Sequence, residues 1–198
     1  MAITLTSAKL LLVEGADEAN FIRALLHLAD RDDVQVLGYG GKNSLNVQFS
    51  AIMRTPGFDQ IDWLGIAQDA DHDAATAFQR VRDVLTRNGL AAPARSWRIQ
   101  PGNPATVVLI WPDGTRQGDL EELVWDAVMQ TTPDIATCVT AYFQCLGIVP
   151  PQSPSAKARV HAYLASLAPP DHRLGTAAQA RLLPLSSAVF DRFRSLLP

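Results

Sequence analysis

Acidic residues crowd two short stretches of the chain, and each stretch directly follows a largely apolar run. The run at residues 10–13 (LLLV) stops at Glu14, and Asp17 and Glu18 come just behind it. The run at residues 61–67 is followed by three alternating aspartates: Asp69, Asp71 and Asp73. Carboxylates this close repel one another unless a cation holds them, and hard divalent cations take oxygen ligands. The two stretches therefore predict a divalent-metal site.

The placement of these acids suits a shared site. In open parallel sheets the functional groups gather at the carboxyl ends of the strands, so we expect Glu14 and Asp69 at one edge. Alternate residues of an extended chain share a face, which allows Asp69, Asp71 and Asp73 to point together. An unpartnered charge at the end of a buried strand is strongly unfavourable, and this favours a ligand for Glu14.

Simpler interpretations stay open for single acids. Asp17 or Glu18 alone suits a helix N-terminus, where the helix dipole favours negative charge. Asp73 alone suits the N-cap of the helix that follows it. A D-x-D pattern also arises by chance. The prediction of a metal site therefore depends on the acids taken together.

Apolar periodicity along the chain predicts the elements that carry these residues. Strands are predicted at 8–14, 34–38, 61–71, 95–100 and 106–111. Helices are predicted at 17–29, 44–54 and 73–88, and then at 118–130, 133–147, 155–167 and 186–197. Strands and helices that alternate at this spacing are typical of an α/β fold with a largely parallel sheet. From Gly118 onward the chain is predicted to be mostly helical.

Composition narrows the class of protein. The chain has 198 residues, of which 47% are hydrophobic and 19% charged, so a packed core is expected. The net charge of −3 is unlike that of a protein that grips nucleic acid by charge alone, although bound divalent cations would change it. No stretch is long enough for a membrane span, and the first residues lack the pattern of a signal peptide. We expect a cytoplasmic protein with no membrane partner.

Several other residues receive structural interpretations. Cys138 and Cys145 lie seven positions apart in a predicted helix, about 10 Å by helical rise, which is too far for a disulfide. We predict that both are buried as small apolar residues. The tryptophans at positions 97, 111 and 125 are predicted to lie in the core. The run GYGGKNSL at 38–45 lacks the spacing of a phosphate loop, and we interpret it as a turn.

The acidic stretches resemble the topoisomerase–primase (Toprim) domain. A glutamate ends strand one within VEG, and a D-x-D within QDADHD ends a later strand, in the order of that family. The resemblance covers residues 8–130. Glu14 and Glu18 form an E-x-x-x-E that is similar to the overcoming-lysogenization-defect (OLD) type of Toprim nuclease and to small stand-alone relatives. It implies a parallel sheet sandwiched by helices in a catalytic core at residues 1–130, with a helical C-terminal extension at 131–198 packed on it.

The resemblance also implies a function and a set of site residues. A nuclease of this type would hydrolyse phosphodiester bonds of DNA or RNA with Mg²⁺ or Mn²⁺. Its implied metal ligands are Glu14, Glu18, Asp69, Asp71, Asp73 and Glu121. Its implied catalytic residues are Glu14, Asp69, Asp71 and Lys157, of which Lys157 would neutralise developing negative charge. Asp119 and Glu122 remain alternatives to Glu121 as the downstream ligand.

The chain departs from the OLD type in one respect that leaves other functions open. It has no G-x-x-x-x-G-K-[ST] motif, so activity in defence or repair would call for a partner ATPase. A homodimer is a further open expectation. One alternative is a non-catalytic Toprim-fold subunit that binds metal or nucleic acid or has a regulatory role. Another is a receiver domain that is phosphorylated on Asp69, although strand one ends in Glu-Gly rather than in paired acids.

Overall fold

A five-stranded sheet forms the centre of the chain. The computed structural model describes residues 3–147, 155–170 and 173–198. The strand order is β2-β1-β3-β5-β4, with parallel pairing except between β4 and β5. The strands are β1 (Lys9–Val13), β2 (Val34–Gly38), β3 (Trp63–Asp69), β4 (Ile99–Gln100) and β5 (Ala105–Trp111). The predicted α/β fold with a largely parallel sheet is confirmed.

Helices cover both faces of this sheet. The helices are α1 (Ala16–Leu28), α2 (Leu45–Met53), α3 (Ala74–Arg87), α4 (Leu120–Thr131), α5 (Pro133–Cys145), α6 (Ala156–Ala165), α7 (Leu174–Gln179) and α8 (Asp191–Arg194). Short 3₁₀ turns occur at Phe58–Gln60 and Ala188–Phe190. In the described part of the chain, no helix has the length and apolar character needed to cross a membrane.

The sheet divides the core into two layers because side chains alternate along each strand. Leu11 and Val13 of β1 pack into the layer that contains α1 and the helices from α4 onward. Leu10 and Leu12 pack into the opposite layer with α2 and α3. The three tryptophans at positions 97, 111 and 125 are buried, as predicted. Both faces of the central strands are therefore covered, which explains their nearly continuous apolar sequences.

The structure differs most from the predicted elements in three places. Helix α7 was not predicted, since LGTAAQ contains a glycine and little apolar periodicity. The helix predicted at 186–197 is a 3₁₀ turn followed by the four residues of α8. The strand predicted at 95–100 shrinks to the two residues of β4. Tertiary packing decides these segments, because their local sequence preferences are weak.

The prediction that both cysteines are buried was wrong. Helix α5 buries Ala136 and Val139, whereas Cys138 and Cys145 lie on its exposed side. The two thiols share a helix face, as their spacing indicates, but that face is turned to solvent. Cysteine is among the most buried residue types, and this general preference misled the interpretation.

Both thiols should therefore react in the native protein. We expect a disulfide reagent such as DTNB to label Cys138 and Cys145 without denaturant, because neither side chain is protected by packing. The fully denatured protein gives the total thiol signal for comparison. Labelling that appears only after unfolding would contradict the orientation of α5.

Candidate metal and catalytic site

The carboxyl ends of β1, β3 and β5 bring acidic side chains to one edge of the sheet. Glu14 follows β1 directly, and Asp69 is the last residue of β3. Helix α1 begins at Ala16, which places Glu18 in its first turn, and Glu121 lies in the first turn of α4. These four carboxylates line one cavity of about 420 Å³, together with Lys157 of α6. The expected meeting of Glu14 and Asp69 at one edge is therefore observed.

Glu18 is held by two hydrogen bonds within this cavity. The indole Nε1 of Trp111 donates to its Oε1 at 2.6 Å, and the backbone N–H of Glu14 donates to its Oε2 at 2.7 Å. Burial raises the pKa of Glu18 to about 7, although both hydrogen bonds oppose the shift, and the charge of Glu14 adds to it. The orientation of this carboxylate is thus set by an aromatic residue at the end of β5.

Asp69 lies at the centre of the acidic cluster. Its pKa is raised to about 8, first by burial and then by four neighbouring carboxylates, which are those of Glu18, Glu121, Asp119 and Glu14. The backbone N–H of Leu120 donates to Asp69 Oδ1 at 3.0 Å, which ties the start of α4 to the end of β3. The protein therefore gathers several ionisable carboxyl groups in a confined space, where ionisation of Asp69 is unfavourable.

The downstream acids have different surroundings. Glu121 lines the cavity, and its Oε1 pairs with Lys157 Nζ at 3.2 Å. Asp119 caps α4 by accepting from the backbone N–H of Glu122, and burial followed by the charge of Glu121 raises the pKa of Asp119. Glu122 is not among the residues that line the cavity. Geometry therefore favours Glu121, with Asp119 beside it, over Glu122.

Asp71 and Asp73 are not brought into the cavity with Asp69. Strand β3 ends at Asp69, and Asp71 has a positive φ of 51° while its backbone pairs with Gly118. Its side chain pairs with Lys42 instead, with Nζ 2.5 Å from Oδ2. Asp73 caps α3 by accepting from the N–H groups of Ala75 and Thr76. The alternation that would have aligned three aspartates thus stops with the strand.

Sequence analysis missed three contributors to this edge. Lys42 was assigned to a turn, yet its backbone N–H donates to Glu14 Oε1 at 3.2 Å. Trp111 was assigned to the core alone, although its position at a strand end is the same signal that identified Glu14 and Asp69. Arg173 lines the cavity from the start of α7, a helix that no sequence pattern indicated.

The donor set suits a hard divalent cation. Carboxylate oxygens are the ligands that such ions prefer, and a bound cation would offset the burial and the repulsion that raise the pKa of Glu18 and Asp69. Among residues 3–147, 155–170 and 173–198, no three histidine, cysteine or acidic side chains surround a common point closely enough to hold a metal. Magnesium usually keeps several waters and takes only one or two carboxylates plus substrate phosphates, so the residues present fit this ion.

Comparison with protein families identifies a relationship over nearly the whole chain. The sequence model of DUF3226, described as a protein of unknown function, matches residues 8–198. The chain belongs to the DUF3226 family. The matching model is not one of a Toprim family, so for this DUF3226 member the Toprim resemblance remains a proposal. No curated protein sequence gives a significant match.

Two solved structures are similar to this DUF3226 chain, and both are of the C-terminal region of the OLD protein from Xanthomonas campestris pv. campestris. The structure phased with mercury shares 14% identity and a TM-score of 0.47, covering 98% of each chain. The structure phased with platinum shares 16% identity and a TM-score of 0.47, covering 96% of this chain and 92% of the other.

Proposed function

We propose that this protein is a divalent-metal-dependent nuclease that hydrolyses phosphodiester bonds of DNA or RNA. The observation that carries the proposal is the cavity in which Glu14, Glu18, Asp69 and Glu121 meet Lys157. Crowded acids at the carboxyl end of a parallel sheet suit the binding of a metal ion, and the neighbouring ammonium of Lys157 suits the binding of a phosphate beside it. The Toprim resemblance of the same residues supports this choice of reaction.

Glu14, Glu18, Asp69 and Glu121 would hold the Mg²⁺ or Mn²⁺ ions. A bound divalent ion supplies Lewis acidity toward the phosphodiester and lowers the pKa of a bound water. Trp111 holds Glu18 in one orientation by its hydrogen bond, and the N–H of Leu120 does the same for Asp69. Because these carboxylates are fixed before substrate arrives, little reorganisation is needed when it binds.

Lys157 would neutralise negative charge on the phosphate as the bond breaks. Its ammonium lines the same cavity, and the charge of Glu121 raises the pKa of Lys157, so it stays protonated at neutral pH. Asp71 belongs to the proposal as a residue at the margin of the cavity that is paired with Lys42. Asp73 caps α3 and would help to fix the turn between β3 and α3, rather than bind a metal ion.

Plasmid cleavage with Mg²⁺ or Mn²⁺ tests this function. We expect Glu14→Gln and Asp69→Asn each to lower the cleavage rate by about 100-fold or more, as expected when one strong transition-state interaction is lost. The matched control is Asp59→Asn, which makes the same chemical change at an exposed acid before β3, at the other end of that strand. Equal rates for all four proteins would refute the assignment.

A non-catalytic role is the second candidate, and one observation favours it. The sequence contains no G-x-x-x-x-G-K-[ST] motif, the phosphate loop that an ATPase needs. A subunit that binds metal and nucleic acid, and leaves catalysis or energy supply to a partner ATPase, would suit a chain without a phosphate-loop motif. Calorimetric binding of Mn²⁺ without cleavage of any DNA or RNA substrate would select this role over a nuclease that acts in defence or repair.

A further inference from the structure

The glycine-rich loop between β2 and α2 wraps around Glu14. The N–H groups of Gly40 and Gly41 donate to the carbonyl oxygen of Glu14 at 3.0 and 2.9 Å. Both glycines have positive φ, 81° and 96°, which is the region that favours glycine. Apart from the adjoining residues, no atom lies within 4 Å of the place where either Cβ would be, so the outer side of the loop is open. The loop therefore holds Lys42 at the margin of the acidic cavity.

Lys42 keeps donors available in this position. Its ammonium is paired with Asp71, and both side chains are 42% exposed. An ammonium group has three N–H donors, and the contact with one carboxylate oxygen uses one of them. Two donors thus remain for a ligand that arrives from solvent.

Arg80 of α3 is a second cation on the same side. It is exposed, and in the described part of the chain it forms no hydrogen bond or ion pair. Asp71 raises the pKa of Lys42, and the charge of nearby Arg80 partly opposes this shift. Two cations that repel each other are stabilised by an anion between them, and a guanidinium matches the geometry of phosphate.

A buried amide lies at the level of this loop. Gln68 belongs to the α2/α3 side of β3, because it alternates with Leu64 and Ile66, whose side chains pack there. Its side chain is fully buried, and neither its amide nitrogen nor its oxygen has a hydrogen-bond partner. An unpaired buried amide costs about 1–3 kcal/mol per group, so the layer that packs beneath this loop contains an unsatisfied polar side chain.

We propose that Lys42 and Arg80 form a phosphate subsite beside the acidic cavity, which holds the nucleic-acid strand one or more phosphates away from the bond that is cleaved. The proposal rests on the nuclease function, since it states where the part of the substrate strand next to the cleaved bond would bind. The strand would cross the carboxyl end of the sheet, with Lys157 and Arg173 on the α1 side and Lys42 and Arg80 on the α2/α3 side. The acidic cavity between them then faces the scissile phosphate.

Fluorescence anisotropy with a labelled DNA oligonucleotide and its RNA counterpart, in Ca²⁺, measures this subsite without cleavage. We expect Lys42→Ala and Arg80→Ala each to weaken binding by about 5–10-fold and to lower the salt slope of the affinity by about 1, as for loss of one phosphate contact. The matched control is Arg82→Ala, which removes the same charge from another face of the same helix and should change affinity less than about 2-fold. Melting temperatures of all variants show whether each has folded.

The outcomes separate this subsite from the nuclease function. If wild-type protein cleaves but Lys42→Ala and Arg80→Ala bind as wild type does, the subsite is wrong and the function stands. If Arg82→Ala weakens binding as much as Arg80→Ala, the positive charge of α3 attracts nucleic acid wherever it lies on the helix, and the subsite is also wrong. Binding that depends on Lys42 and Arg80, without cleavage in Mg²⁺ or Mn²⁺, supports the subsite and overturns the nuclease function.

Discussion

The stability of the metal-free protein should fall as the pH rises from about 4 to about 8. Burial and neighbouring charges raise the pKa of Glu18 to about 7 and that of Asp69 to about 8, whereas both groups titrate near pH 4 in an unfolded chain. Between these values the folded state holds protons that the unfolded state has lost. The free energy of unfolding therefore decreases with pH in this window, since ionisation of a buried carboxylate costs only the folded state.

Asp69→Asn should remove a large part of this pH dependence. Asparagine keeps the shape and the oxygen that accepts from Leu120 N–H, but it cannot ionise. At about pH 9 in EDTA we expect the variant to be more stable than wild type by on the order of 2–4 kcal/mol, and at about pH 4 the difference should vanish. Urea denaturation across this pH range measures both, with Asp59→Asn, the same change at an exposed acid outside the cavity, as the control. A wild-type curve that is flat or rising, with Asp69→Asn parallel to it, would contradict the crowding of charge at Asp69.

Magnesium should reverse the loss of stability in wild type. A cation that binds the ionised carboxylates stabilises the folded state by about 2.7 kcal/mol at a concentration one hundred times its dissociation constant. The gain should grow with pH and should be smaller in Asp69→Asn. Equal stabilisation of both proteins at every pH would place the ion elsewhere.

Substitution of Gly175 should uncouple the C-terminal helices from the site. A Cβ at this position would lie 2.4 Å from the carbonyl oxygen of Asp17 and 2.7 Å from Asn20 Cβ, so α7 would have to shift away from α1. The N–H of Gly175 also donates to Asp17 Oδ1 at 3.0 Å. We expect Gly175→Ala to destabilise the protein by about 3 kcal/mol, which lowers the melting temperature by about 6–12 °C. Thr176→Ala, at the exposed neighbouring position, is the control.

The same substitution should lower metal-dependent cleavage by more than about 10-fold, because small displacements of positioned groups are costly for catalysis. Leu174 and Arg173 line the acidic cavity, and α1 carries Glu18. If Gly175→Ala does not fold, Asp17→Ala removes the hydrogen bond without a clash and should lower the stability more weakly, while it also removes a carboxylate that lines the cavity. Wild-type stability and activity in both variants would show that the packing of α7 on α1 has no role at the site.

Local patterns in the sequence determined the strands and the acids at their ends. The run LLLV before Glu14 and the run before Asp69 mark buried parallel strands, because only a strand covered on both faces is apolar without alternation. The strong periodicity of α3 likewise identified that helix within one residue at each end. These features depend on neighbouring residues, and the sequence alone is enough to find them.

The tertiary structure alone decided which distant groups meet these acids. Trp111 reaches Glu18 across 93 positions of the chain, and Gly175 reaches Asp17 across 158, through contacts that no local pattern encodes. The turn after β3 directs the side chain of Asp71 away from Asp69, and Asp71 pairs with Lys42 instead. The D-x-D pattern had suggested that both aspartates share one face. Side-chain direction beyond a strand end and the docking of later helices both depend on the packing of the whole chain, and this is why the sequence identified the acidic edge but not its partners.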